Sequence, residues 1–435
     1  MRNKFRRILV LTAVFALVAA VPFIGLAQTT KRYDGVTLRV LTMQHEPIKQ
    51  SIIKSIPRAK AELGVDIMVD EGEYTTTKQK TVNAALAKTG QYDITTMADQ
   101  WTGEFQKGKY IVPLDDMLAK DAAFKNAIVP VPLTFTQFNG KQWGIPFAIE
   151  MTIRFYRTDI LQKEKLEPPT DWDKYWKIVK YFNKNPKYPD FYGGAEMYAR
   201  DQGYLIGWLN RYWQNYDFKS VKTKNGFWDE NYKNCFDKKA FIEAVNNAKE
   251  LYKYMPGGVQ SFSLPEALDF FIKGNAASVL LWAAGMGNAS EDPTRSNVVG
   301  KVAAVPAPGV PFAASWQLTI ASASKNKEAA WAYIRWLTTP ENDLGFWVDN
   351  GKTPILAATY DKPEAKKLYY IGTLKDTLKV SRNCGNIEAM EDFYGGDLFP
   401  TAMDGVVGKT TPEVTADKVS KLISELLEKS GHPQK

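Results

Sequence analysis

The stretch GIPFAIEMTIRFYRTDIL, residues 144–161, reads as one long apolar strand broken by a single carboxylate, Glu150, set between Ile149 and Met151. Removing an ionised group from water costs several kcal/mol unless it is paired or hydrogen-bonded. Glu150 therefore needs a protein partner, a ligand or a wet position. Arg154 is the nearest protein candidate, but residues four apart on a strand share a face without touching closely.

Upstream of this strand the pattern alternates. VTLRVLT (36–42), VDIMV (65–69) and YDITTM (92–97) are short β-rich runs. Between them, Ile48, Ile52, Ile53 and Ile56 recur at helical spacing, and Val82 and Leu86 mark a second helical face that stops at Gly90. This β-α-β-α-β order predicts a parallel sheet with right-handed crossovers. Ligands of such sheets bind beyond the carboxyl ends of the strands, here Gln44-His45-Glu46, Glu73-Tyr74 and Asp99-Gln100-Trp101. Trp101 next to Asp99 and Gln100 could set a ring and polar forks against one ligand.

The chain of 435 residues opens with Arg2, Lys4, Arg6 and Arg7, followed by an apolar run to Ala27 that ends in small residues. That is the pattern of a signal peptide, residues 1–27, cleaved near Ala27, and it predicts export. The net charge is +8, of which the leader carries four, and acidic and basic residues alternate along the rest. No basic stripe points to nucleic acid. Length argues for two domains or lobes. The even pair Cys235 and Cys384 predicts one disulfide in an oxidising compartment.

Downstream, KKAFIEAVNNAKELYKY (238–254) reads as helix within a second α/β lobe, and Ser263 followed by Glu266 reads as a capping box before the strand 277–282. Residues 325–342 and 412–429 read as amphipathic helices, the latter burying Val419, Leu422, Ile423, Leu426 and Leu427. Trp331 and Trp336 fall in the first of these and are assigned to core. GVVGKTT (405–411) lacks the glycine spacing of a phosphate-binding loop. Only His45 and His432 are available, with neither metal-ligand spacing nor a nucleophile elbow, so no metal, cofactor or catalytic residue is predicted. Paired carboxylates of a glycosidase carry no local motif and stay open.

Four blocks in order resemble the sugar-binding periplasmic solute-binding proteins of ABC transporters, the maltose-binding-protein-like family. They are YDITTMADQWTGEFQKGKYIVPLDDML, NGKQWGIPFAIEMTIRFYRTDILQKEKLEPPTDWDKY, FIKGNAASVLLW and SASKNKEAAWAYIRWLTTPEND. The resemblance implies an α/β type II Venus-flytrap fold of two lobes, each a mostly parallel sheet flanked by helices, with three hinge crossings. The first lobe would hold residues 28–148 and 312–365, and the second 149–311 and 366–435. Both cysteines then fall in one lobe.

It also implies a periplasmic, monomeric, non-enzymatic protein that captures a carbohydrate or polyol and delivers it to an inner-membrane ABC permease. Sugars present C–H faces and rows of hydroxyls, so their sites need flat rings and forked polar groups. The candidates are His45, Glu46, Tyr74, Asp99, Gln100 and Trp101 from the first lobe, and Glu150, Tyr198, Arg200, Trp282, Trp316 and Arg382 from the hinge and second lobe, with Asn383 a weaker choice. Glu150 would border the cleft. Arg200 and Arg382 leave room for an acidic or phosphorylated sugar, and a periplasmic glycosidase or lyase is the reading from another class.

Overall fold

A computed structural model describes residues 32–199 and 205–434. The leader and Arg200 lie outside the described residues. Among those described, seven strands build one sheet: β1 (Thr37–Met43), β2 (Asp66–Gly72), β3 (Ile94–Ala98), β4 (Ile145–Arg157), β5 (Ser278–Trp282), β6 (Val302–Pro306) and β7 (Ala313–Ile320).

The β-α-β-α-β pattern is present as read. β1 pairs in parallel with β2 and with β3. Helix Glu46–Leu63 returns the chain between β1 and β2, burying Ile48 and Ile52, and ends where Gly64 adopts φ 85°. Only glycine takes that conformation without a Cβ penalty. Helix Tyr74–Leu86 departs in part from the expectation: Val82 packs half-buried against an apolar cluster, but the helix also buries Thr77 and Thr81, while Leu86 is 65% exposed. The Thr77 hydroxyl, buried on this face, donates to the Gly72 carbonyl at 2.8 Å.

β7 runs antiparallel to β3 and to β4, giving the order β2-β1-β3-β7-β4. β4 then changes company. Its residues Ile145 to Met151 pair with β7, whereas Thr152 to Arg157 are flanked by β5 and β6. One continuous strand thus serves two sheet regions and connects two lobes. Helices Glu46–Leu63, Lys327–Leu337 and Pro340–Asn350 pack together on one side of this switch. Helices Leu205–Asn215, Lys238–Tyr252, Leu398–Val406 and Pro412–Lys429 pack together on the other. In the last of these Val419, Ile423 and Leu427 are buried, as the stripe predicted.

Arg154 does not serve Glu150. Its guanidinium donates to Glu196 at 2.7 Å and lies 3.7 Å over the ring of Tyr175, with both charged partners fully buried. The expected disulfide is a second correction: Cys235 and Cys384 are both free thiols. Cys235 is half-buried, with its N–H bonded to the Phe227 carbonyl, and Cys384 is buried in the segment that faces Asp99. An even count does not set the distance between two thiols, and a disulfide needs their Cα atoms within about 7 Å. No helix among the described residues is long and apolar enough to cross a membrane.

Candidate functional site

The carboxyl ends of β1 and β3, the start of β7 and the middle of β4 converge on one cavity of about 510 Å3 between the lobes. That size falls within the range of roughly 300–1,000 Å3 usual for small-molecule sites. Gln44, His45 and Glu46 enter from the turn after β1, and Asp99 and Gln100 from the turn after β3. Trp316 sits on β7 opposite Ala98 of β3 and Ala148 of β4. The facing wall is made by Trp282 at the end of β5, Leu264 and Pro265 at the start of the helix Leu264–Ile272, and Tyr394.

Glu150 lies on β4 opposite Ala314 and is 6% exposed. His45 Nε2 approaches its Oε1 to 3.2 Å, yet neither carboxylate oxygen receives an aligned hydrogen bond, and His45 Nδ1 has no partner either. The strand carboxylate therefore lines the cavity with His45 beside it and no aligned protein hydrogen bond. A hydroxylated solute would supply the donors.

Asp99 shares the wall. It is 3% exposed, its Oδ2 accepts from the Asn383 amide at 2.7 Å, and its Oδ1 has no donor. Burial pushes its carboxyl up to about 7, against the opposing pull of the Ser315 backbone N–H and then of the Asn383 amide. Glu46, by contrast, is held below the usual carboxylate range by hydrogen bonds from Lys49 and Gln50.

Of the residues expected in the site, His45, Glu46, Asp99, Gln100, Glu150, Trp282 and Trp316 line this cavity. Four do not. Trp101 is fully buried as the last residue of the short turn Asp99–Trp101, and its indole N–H donates to the Tyr74 hydroxyl at 2.8 Å. Tyr74 stands behind the wall with it, accepting also from Gln100 at 2.8 Å and donating to Glu391 at 3.1 Å. Tyr198 is buried edge-on to Tyr252. Arg382 faces away, stacked 3.5 Å over Phe218 and bonded to the Lys224 carbonyl. Asn383 acts from one layer back, through Asp99.

Sequence reasoning missed Leu264, Pro265, Phe312 and Tyr394. The capping box at Ser263 marked a helix start and hence a possible wall for the first two. Phe312 and Tyr394 carry no local signal, since tertiary packing alone delivers them.

Similarity to known proteins follows this geometry. A probable amino-acid ABC transporter periplasmic-binding protein, y4oP, of Sinorhizobium fredii is 22% identical over 343 residues, covering 74% of this chain and 76% of that protein. Two solved structures share the fold. A solute-binding protein from Agrobacterium radiobacter K84 in complex with ribitol has a TM-score of 0.77 at 24% identity, covering 91% of this chain and 100% of that one. Maltose-bound MalE3 of T. maritima has a TM-score of 0.76 at 20% identity, covering 90% and 100%. The model of the bacterial extracellular solute-binding protein family matches residues 45–343, most of the chain and every cavity-lining residue except Gln44 and Tyr394, and the chain belongs to that family.

Proposed function

We propose that this protein is the solute-binding component of an ABC importer, exported with cleavage near Ala27, which captures a carbohydrate or polyol between its lobes and presents it to a membrane permease as a monomer. One observation carries the ligand class: the almost fully buried Glu150 carboxylate lines the cavity with no aligned hydrogen bond and only His45 Nε2 near it, while Trp282 and Trp316 bring indole rings to the same space. Hydroxyls suit the carboxylate, and C–H faces suit the rings. The ribitol and maltose held by the two structural neighbours are consistent with this chemistry.

In this reading the lobes comprise residues 28–148 with 312–365 and 149–311 with 366–435, a division supported by the change of strand partners at Met151 and Thr152. Ligand contacts from both lobes favour the closed form, and the permease distinguishes closed from open. No bond of the solute is broken. An acidic or phosphorylated sugar has less support, because Arg382 points away from the cavity and no Arg or Lys lines its described wall.

Calorimetry against neutral sugars, polyols and sugar acids tests the proposal, with mass spectrometry of the co-purifying solute to extend the panel. Glu150→Ala and Trp282→Ala should each weaken the best ligand at least tenfold. Unchanged affinity in both variants rejects this cavity as the site, and turnover of the bound compound rejects the non-enzymatic reading.

A further inference from the structure

We infer that the solute is a polyhydroxylated cation, an amino sugar or amino polyol whose protonated amine is held by the carboxylates of Glu150 and Asp99. The inference rests on the interlobe cavity being the carbohydrate site and specifies the charge of its occupant.

The cavity wall is electrostatically one-sided. Among its described residues three are carboxylates, none is Arg or Lys, and His45 is the one side chain able to carry a positive charge. Glu46 is answered by Lys49 at 2.6 Å. Glu150 meets only His45 Nε2, at 3.2 Å, a pair that is charged only when the imidazole is protonated, and Asp99 has no ion-pair partner among the described residues. Both are more than nine-tenths buried, and both oxygens of Glu150 and Oδ1 of Asp99 lack any hydrogen-bond donor. They reach the cavity from β4 and from the end of β3, the two strands that flank β7, so they border the same space from either side of Ser315 and Trp316.

A neutral sugar would satisfy the acceptors but bring no charge to two acidic groups whose one ionisable counter-group is His45. An ammonium supplies three donors together with the missing charge, and it would restore the ionised form of Asp99 that burial disfavours. An α-amino acid fits less well, since its carboxylate would find no Arg or Lys on the described wall. A metal ion is disfavoured too, because no group of three or more His, Cys, Asp or Glu among the described residues could hold one.

Calorimetry at pH 7 with matched pairs on the full exported chain decides the matter: glucosamine against glucose, galactosamine against galactose, 1-amino-1-deoxysorbitol against sorbitol, and the fully deacetylated chitosan disaccharide against cellobiose. The best amine should bind at least tenfold more tightly than its hydroxyl counterpart, and added salt should narrow that gap. Glu150→Gln and Asp99→Asn should each shrink the preference for the amine more than they weaken the hydroxyl partner. Equal or tighter binding of the hydroxyl compounds overturns the cationic inference and leaves the carbohydrate site standing. Silence of both members of every pair overturns the inference and the carbohydrate reading beneath it.

Discussion

Asn383 donates its side-chain amide to Asp99 at 2.7 Å and to the carbonyl of Ala313 at 3.0 Å, joining a cavity carboxylate to the first residue of β7 through one side chain. With its carboxyl pushed up to about 7 by burial, the native protein holds a proton on Asp99 between about pH 4 and 7, where the unfolded chain has released it. The contribution of Asp99 to the stability of the ligand-free protein therefore falls as pH rises through that window and levels off above it. Asp99→Asn should have little effect near pH 4 and should stabilise by about 2–4 kcal/mol at pH 8. Urea unfolding of both proteins across that range measures the difference.

Gly103 sits where a side chain has no room. A Cβ there would lie 2.4 Å from the carbonyl oxygen of Ile387, and the Gly103 N–H is bonded to Asn386 at 3.3 Å. Gly103→Ala must push the 383–391 segment away from the turn that carries Asp99. We expect unchanged far-UV circular dichroism, a larger radius of gyration by small-angle scattering and ligand affinity lower on the order of tenfold, because closure is harder.

The Arg154–Glu196 pair is buried with no exposure on either side chain. Removing one member strands the other, which costs about 3–5 kcal/mol, whereas replacing both with apolar residues of similar volume is close to neutral. Arg154→Met should therefore destabilise strongly, and Arg154→Met with Glu196→Leu should recover much of the loss. Denaturant midpoints of the three variants check the order.

With Cys235 and Cys384 both free, thiol titration in denaturant without reductant should give two thiols per chain, and reductant should leave the Tm unchanged. In the native protein Cys384 should react far more slowly than Cys235. It is fully buried, and burial pushes its thiol well above the usual range, whereas Cys235 is half-exposed.

The parallel strands and the helix Glu46–Leu63 were legible because their signals are local: alternation in residues 37–43 and isoleucines at helical spacing need no knowledge of partners. The strand-end rule likewise reached His45, Asp99 and Gln100. It failed at Trp101, because one further step along the Asp99–Trp101 turn rotates the ring into the lobe interior, toward Phe105 and Tyr74. Tyr394 was invisible because nothing near it in the chain reveals the contact it makes, and Arg382 misled because a guanidinium satisfied by stacking on Phe218 looks in sequence like one awaiting an anion. The disulfide failed for the same reason: pairing depends on distance in space, which a count of cysteines does not encode.

β4 passes through both halves of the molecule, and Glu150 stands one residue before the last position at which β7 accompanies it. A point so near the fulcrum moves least when the halves swing. The solute's anchoring group would keep its place from capture to release, while the walls carrying Trp282 and Tyr394 sweep toward it and away. Evolution of new specificity in such a protein is then free to resculpt the moving walls without disturbing the tether.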